Sequence, residues 1–189
     1  MVRIIGLYGK KRSGKDTVAD YLVEKNGFIK LSFAGKLKNI CKELFKFTDE
    51  DLENKDETNK YWDVSPRKVL QFIGTDLFRD KIEECIPWIK DNFWIEILRK
   101  EIYDLHDHYG SDLKIVISDC RFPNEIEFVK ELINIFDKDT GKIIKIEREC
   151  LSNDNDYHVS ENYNDLYYTN IIYNNSSIAD LYSYIDDIL

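Results

Sequence analysis

No two of the four cysteines, Cys41, Cys85, Cys120 and Cys150, stand in a Cys-x-x-Cys pair, so the chain carries no zinc signature. Thiols this far apart read most simply as reduced, which points to a cytoplasmic compartment. The N-terminus opens on a core strand and lacks the charged-then-apolar pattern of a secretory signal. No apolar run approaches the roughly 20 residues that span a bilayer. The three histidines are too scattered for a metal cluster, and no internal repeat or low-complexity tract is visible. A surplus of positive charge is missing as well. With 36 Asp and Glu against 27 Lys and Arg, the formal charge is −9. That argues against a general nucleic-acid binder, because a phosphate backbone rewards clustered Lys and Arg.

What is present is an apolar core and one strongly basic stretch. Hydrophobic residues make up 43% and aromatics 13% of 189 residues. These figures describe a folded, soluble protein with one α/β domain and room for a small inserted subdomain. The basic stretch is Gly9-Lys10-Lys11-Arg12-Ser13-Gly14-Lys15-Asp16-Thr17, set between the apolar run Val2 to Tyr8 and the helix-forming Val18-Ala19-Asp20-Tyr21-Leu22. Strand, glycine loop and helix, with Gly-x-x-x-x-Gly-Lys spacing, make a P-loop. Its backbone N–H groups wrap a polyphosphate, the helix points its positive end at it, and lysine reaches the outer oxygens. Position 16 is Asp, where the usual pattern has a hydroxyl that binds Mg²⁺. Asp16 then ligates the metal itself, acts through water, or leaves the task to Thr17.

Further strands are expected at Phe28–Phe33, Leu113–Ser118, Ile143–Glu147 and Thr169–Tyr173, giving five strands alternating with helices on one parallel sheet. Ala34-Gly35 leads into a helix from Lys36 to Phe45, in which Lys38 stands out as an anion contact. Thr48 to Lys60 is acidic and poor in apolar residues, and reads as a solvated connection. Ser65-Pro66 caps a helix that Gly74-Thr75-Asp76 interrupts, and on it Arg67 and Gln71, four apart, share one face. Phe93 opens a helix to about His106. Trp88 and Trp94 read as core or rim aromatics, with stacking on a nucleobase as the sharper alternative. The strand at Leu113–Ser118 ends in Asp119-Cys120-Arg121, where open α/β sheets bind ligands. Asp119 there suits orientation of Mg²⁺ or its waters, and Arg121 suits a second phosphate. Arg148 follows the fourth strand, and the polar segment of about 149–165 reads as a lid or an ordinary surface loop. In it, His158 reads as a local anchor or a substrate contact, beside Ser160 and Glu161. Ile178 to Leu189 is an amphipathic terminal helix.

Several stretches together resemble the deoxynucleoside monophosphate kinases of phages and large DNA viruses, within the P-loop nucleoside monophosphate kinase fold. They are Lys11 to Asp20, Phe33 to Lys38, Gln71 to Leu77, Phe93-Trp94-Ile95, Asp119-Cys120-Arg121, His158 to Glu161 and Thr169 to Leu181. The fold implied is a three-layer α/β kinase with a five-stranded parallel sheet (1–33, 112–148 and 166–189), a small helical acceptor-binding region (34–111) and a lid (149–165). The activity implied is transfer of the γ-phosphoryl of ATP, with Mg²⁺, to a deoxynucleoside monophosphate. The resemblance assigns ATP to Gly14, Lys15, Asp16 and Thr17, within a loop that includes Gly9 and Ser13. It lines the acceptor site with Lys10, Lys38, Arg67, Gly74, Thr75, Trp94, Asp119, Arg121 and Glu125. The chain is shorter between Phe45 and Ser65 than the phage form. Lys38, Arg67 and Arg121 can form the second phosphate site that a kinase needs, and Arg12 or Arg148 can cover the charge that develops between the two sites.

The expected partners are therefore small molecules, with no nucleic acid and no membrane, in the cytoplasm of a host if the source is viral. A homodimer is compatible with the sequence. Two other readings stay open: a kinase of another small phosphate, phosphomevalonate-like or dephospho-coenzyme A-like, and a nucleotide-binding regulator without transfer activity.

Overall fold

A computed structural model of the chain describes residues 1–149 and 166–189. The expected lid and the His158, Ser160 and Glu161 positions lie mostly or wholly outside the described residues. Chain contacts divide the molecule into two units, Met1–Ser32 with Ile102–Leu189, and Phe33–Glu101.

The first unit is built on five parallel strands, β1 (Arg3–Tyr8), β2 (Ile29–Leu31), β3 (Lys114–Cys120), β4 (Lys142–Glu147) and β5 (Asn170–Tyr173), in the order β2-β3-β1-β4-β5. This is the all-parallel five-stranded sheet expected from the sequence. β-branched runs on β1, β3 and β4 suit strands covered on both faces. Side chains alternate across the sheet. Ile5, Leu7, Val116, Ile144 and Ile146 form one cluster with Val18, Ala19 and Leu22 of α1 (Lys15–Asn26) and with Leu181 and Ile185 of α7 (Ile178–Ile188). Gly6 points the other way, toward α6 (Pro123–Phe136). A Cβ there would lie 2.9 Å from Val129 Cγ1, so glycine lets the helix approach the central strand. Helices on both faces make the three layers.

Because β1, β3, β4 and β5 run parallel, their carboxyl ends share one edge of the sheet. That edge carries the loop after Tyr8, the Asp119–Arg121 stretch, Arg148 and the turn that starts at Asn174.

The second unit is helical and corrects two expectations. Thr48 to Lys60 is structured. It contains α3 (Asp49–Glu53), where the Thr48 hydroxyl accepts the Asp51 N–H and the Asp51 carboxylate accepts the Thr48 N–H, so acidic residues fill a capping box. Leu52 joins the cluster of Cys41, Phe47, Val69 and Ile73, to which α2 (Phe33–Phe45) and α4 (Pro66–Gln71) contribute. Nor does Gly74 interrupt its helix. α4 runs on into a π-helical stretch, Phe72–Lys81, in which Gly74 is buried and a Cβ would lie 2.6 Å from Leu37 Cδ2. The glycine serves close packing here, where it was read as a breaker. α5 (Phe93–Tyr109) begins in this unit and ends in the first. No helix among the described residues is long and apolar enough to cross a membrane.

Candidate active site

The loop between β1 and α1 is shaped by its glycines. Gly9 has φ 145° and Gly14 φ 110°, both in the region that favours glycine. A Cβ on Gly9 would run into the carbonyl oxygen of Ile146, a backbone atom that cannot give way. Arg12, between them, holds φ 64°, a left-handed geometry that costs a side-chain-bearing residue about 1–3 kcal/mol. Strain of that kind is kept where neighbours impose it, and Arg12 lines the site.

Lys15 is 8% exposed, and its ammonium donates to the carbonyl oxygens of Gly9 and Lys10, each at 2.7 Å. The Ser13 N–H also donates to Lys10, at 3.1 Å, so the loop is closed on itself around the lysine. Ser13 is fully buried, and its hydroxyl has no hydrogen-bond partner among the described residues. Among the described residues no side chain caps the N-terminus of α1, which leaves its first-turn N–H groups as donors for an anion. Asp16, in that turn, is exposed, and one of its carboxylate oxygens lies 2.9 Å from the ammonium of Lys30 on β2. Lys30 also pairs with Asp20 at 2.9 Å. Burial pulls the Lys30 pKa down, but the hydrogen bonds and charges of Asp20 and Asp16 outweigh it, and the net shift is upward.

A cavity of about 270 Å³ opens on this loop. Five expected residues line it, Arg12, Gly14, Asp16, Thr17 and Arg148, together with Asn174, Ser176, Ile178 and Leu181. The last four received no role from the sequence. The available signal was topological, because Asn174 to Ser176 follow a parallel strand at the carboxyl edge of the sheet.

The other expected residues fall in both units. In the first, Asp119 lies in β3 and is half-buried, and Arg121 is exposed. Glu125 is 2% exposed. Its carboxylate accepts the N–H groups of Arg121 and Phe122, at 2.7 and 3.1 Å. It therefore fixes the backbone of the loop that carries Arg121, at the start of α6. Burial, reinforced by Glu125 and Asp119, pushes the Cys120 thiol up and keeps it neutral. In the second unit, Lys38 and Gln71 are exposed, and Arg67 makes a bidentate ion pair with Asp56, its Nη2 donating at 2.8 Å. Thr75 is half-buried next to Gly74. Trp94, a candidate for base stacking, is 5% exposed. Its indole N–H donates to the Gly74 carbonyl at 2.9 Å, and its ring packs edge-on against Phe78 and Phe93. It holds the Gly74–Thr75 backbone and offers no open ring face, which corrects the stacking alternative for Trp94, while Trp88 is exposed.

A buried lysine in a glycine loop, a helix start without a side-chain cap among the described residues and a cavity lined by two arginines are suited to an anion. The family model described as deoxynucleotide monophosphate kinase matches residues 3–64 and 42–185. The chain belongs to that family. Membership of the deoxynucleotide monophosphate kinases makes the protein a phosphotransferase. A protein of Acanthamoeba polyphaga mimivirus that bears the family's name is 40% identical over 189 residues, 96% of this chain and 93% of the relative. The deoxynucleoside-5'-monophosphate kinase of Escherichia phage T5 is 37% identical over 79 residues, 42% of this chain and 27% of that protein. The solved structure of TT1252 from Thermus thermophilus aligns over 98% of this chain and 95% of its own, with a TM-score of 0.49 and 15% identity.

Proposed function

We propose that the protein transfers the γ-phosphoryl group of ATP to the phosphate of a deoxynucleoside monophosphate, giving the diphosphate, with Mg²⁺ as cofactor. The observation that carries this reading is the cavity in which Arg12 and Arg148 join the P-loop, since transfer depends on positioning and charge neutralisation more than on a reactive side chain. In the reaction an oxygen of the acceptor phosphate forms a bond to the γ-phosphorus. The bond from that phosphorus to the β,γ-bridging oxygen breaks, and its electron pair stays on the β-phosphate. Lys15, with the first-turn N–H groups of α1, neutralises the β- and γ-oxygens. Arg12 and Arg148 take the charge that builds on the transferring group.

Asp16 and Thr17 supply hard oxygen donors at the start of α1, which fits Mg²⁺, a cation that keeps several waters and needs few protein ligands. Held there, the ion would offset the charge of the outer phosphates. Because Lys30 already pairs with the Asp16 carboxylate, the Thr17 hydroxyl would be the direct ligand and Asp16 would act through water, with Asp119 orienting the ion's waters. Lys10, Lys38, Arg67, Gln71, Gly74, Thr75, Trp94, Arg121 and Glu125 serve the acceptor, with Trp94 and Glu125 acting through the backbones they hold. The viral and phage origin of the relatives favours the cytoplasm of an infected cell as the place of action.

The test is chromatographic detection of deoxynucleoside diphosphate from ATP, Mg²⁺ and a deoxynucleoside monophosphate, with Lys15→Ala as control. Product from the wild type and a loss of several orders of magnitude in the variant, at unchanged circular dichroism, support the assignment. Near-normal turnover in the variant refutes it.

A further inference from the structure

The turn after β5 touches the P-loop on one side and the end of β4 on the other. The Asn174 side-chain amide donates to the carbonyl oxygen of Ser13 at 2.8 Å, and its backbone N–H donates to the carbonyl of Glu147 at 2.7 Å. The Asn175 side-chain oxygen accepts the N–H of Glu149 at 2.9 Å. Both neighbours of Arg148 are therefore tied to this one dipeptide, and the residue before Gly14 is tied to it as well. Asn174 also packs over Gly14. A Cβ on that glycine would lie 2.5 Å from Asn174 Nδ2, so the amide lies against the loop where it turns into α1.

We propose that Asn174 and Asn175 form a clamp that positions the phosphate loop and Arg148 relative to each other. The clamp deepens the reading of the donor site given above and rests on it. Asn174 orients the Ser13–Gly14 peptide through its carbonyl, and so sets the direction of the N–H groups that follow. Asn175 holds the backbone beyond Arg148. Without that bond the exposed arginine is anchored from one side only, and its guanidinium spends less time over the cavity. The two asparagines are positioning residues: the side-chain bonds of Asn174 to Ser13 and of Asn175 to Glu149 both go to backbone groups.

The chemistry explains the residue type. Asn174 must donate to a carbonyl, and Asn175 must accept from an N–H. A carboxylate at 174 would face the Ser13 carbonyl with no proton to offer, and an aliphatic side chain would leave that oxygen without its donor.

The test is calorimetric binding of ATP alone, without acceptor, to the wild type, Asn174→Ala, Asn175→Ala, Arg148→Ala and the Asn175→Ala/Arg148→Ala double variant. Asn174→Ala is expected to weaken binding about tenfold, and Asn175→Ala about threefold. The diagnostic outcome is the cycle. Asn175→Ala is expected to add almost nothing once Arg148 is gone, because it works through that side chain. Full additivity of the two losses, or unchanged affinity in Asn174→Ala, overturns the clamp. Asn175 is exposed, so its variant reports even if Asn174→Ala fails to fold. A wild type that binds ATP yet phosphorylates no deoxynucleoside monophosphate overturns the proposed function and leaves the clamp to be judged by binding.

Discussion

The ammonium of Lys30 stands 2.9 Å from the carboxylate of Asp16, the acidic residue in the first turn of α1. A carboxylate at that place favours the helix dipole but repels a polyphosphate. Lys30 resolves the conflict by neutralising Asp16 together with Asp20, one turn on. Asp16 has 80% of its side chain exposed, so the pair adds little to stability, under about 1 kcal/mol. Its effect is on the local field.

Replacement Lys30→Met is accordingly expected to change the urea midpoint little and to raise KM for ATP about three- to tenfold, with a larger effect at low salt than at high salt. Steady-state kinetics at two ionic strengths check it. An unchanged KM at low salt removes the electrostatic role.

Trp94 gives a prediction of a different kind. Its indole N–H reaches the Gly74 carbonyl inside the second unit, and Phe at this position keeps the ring but loses the donor. Trp94→Phe is expected to lower stability by about 1–3 kcal/mol, the cost of a buried acceptor left without its partner. The same variant is expected to raise KM for the monophosphate more than KM for ATP, because the Gly74–Thr75 backbone loses its support. A stability equal to wild type in denaturant titration contradicts this role.

The alkaline limb of stability follows from buried acids. Tyr8 is fully buried and its hydroxyl donates to the Leu166 carbonyl at 3.0 Å. Burial first, then the charges of Tyr168 and Glu147, raise its pKa well above the ordinary 10.0. Burial likewise pushes the Cys41 thiol up, from 9.0 to about 11. Both groups hold their protons more tightly folded than unfolded. Their contribution is complete below the unfolded pKa and is lost as pH rises toward the folded one. The urea midpoint is expected to be level up to about pH 9 and to fall between 9 and 11. Tyr8→Phe starts lower, by about 1 kcal/mol for the lost hydrogen bond, and declines less steeply above pH 10. A wild-type midpoint that rises from pH 9 to 11 contradicts the assignment.

How far the molecule was legible differs from stretch to stretch. The P-loop reads directly from Gly9, Gly14 and Lys15, since a glycine-dependent backbone and a lysine at fixed spacing leave few other solutions. The parallel sheet reads from its β-branched runs. The 48–60 region misled because acidic residues mark solvated connections, and here three of them serve the N-terminus of α3 while Asp56 pairs with Arg67. Gly74 misled for the same kind of reason, since its tight neighbour Leu37 lies far away in sequence. The roles of Asn174 and Asn175 were not legible, because their bonds run to Ser13, Glu147 and Glu149, partners that only the strand order brings near.

The central claim is phosphoryl transfer from ATP to a deoxynucleoside monophosphate, and the most direct measurement is ADP release from ATP and Mg²⁺ against a panel of acceptors. The panel holds dTMP, dGMP, dCMP and dAMP, their ribose counterparts, and phosphomevalonate. The account predicts release that depends on one or a few of the deoxynucleoside monophosphates. Release with phosphomevalonate alone, or none with any acceptor, contradicts it.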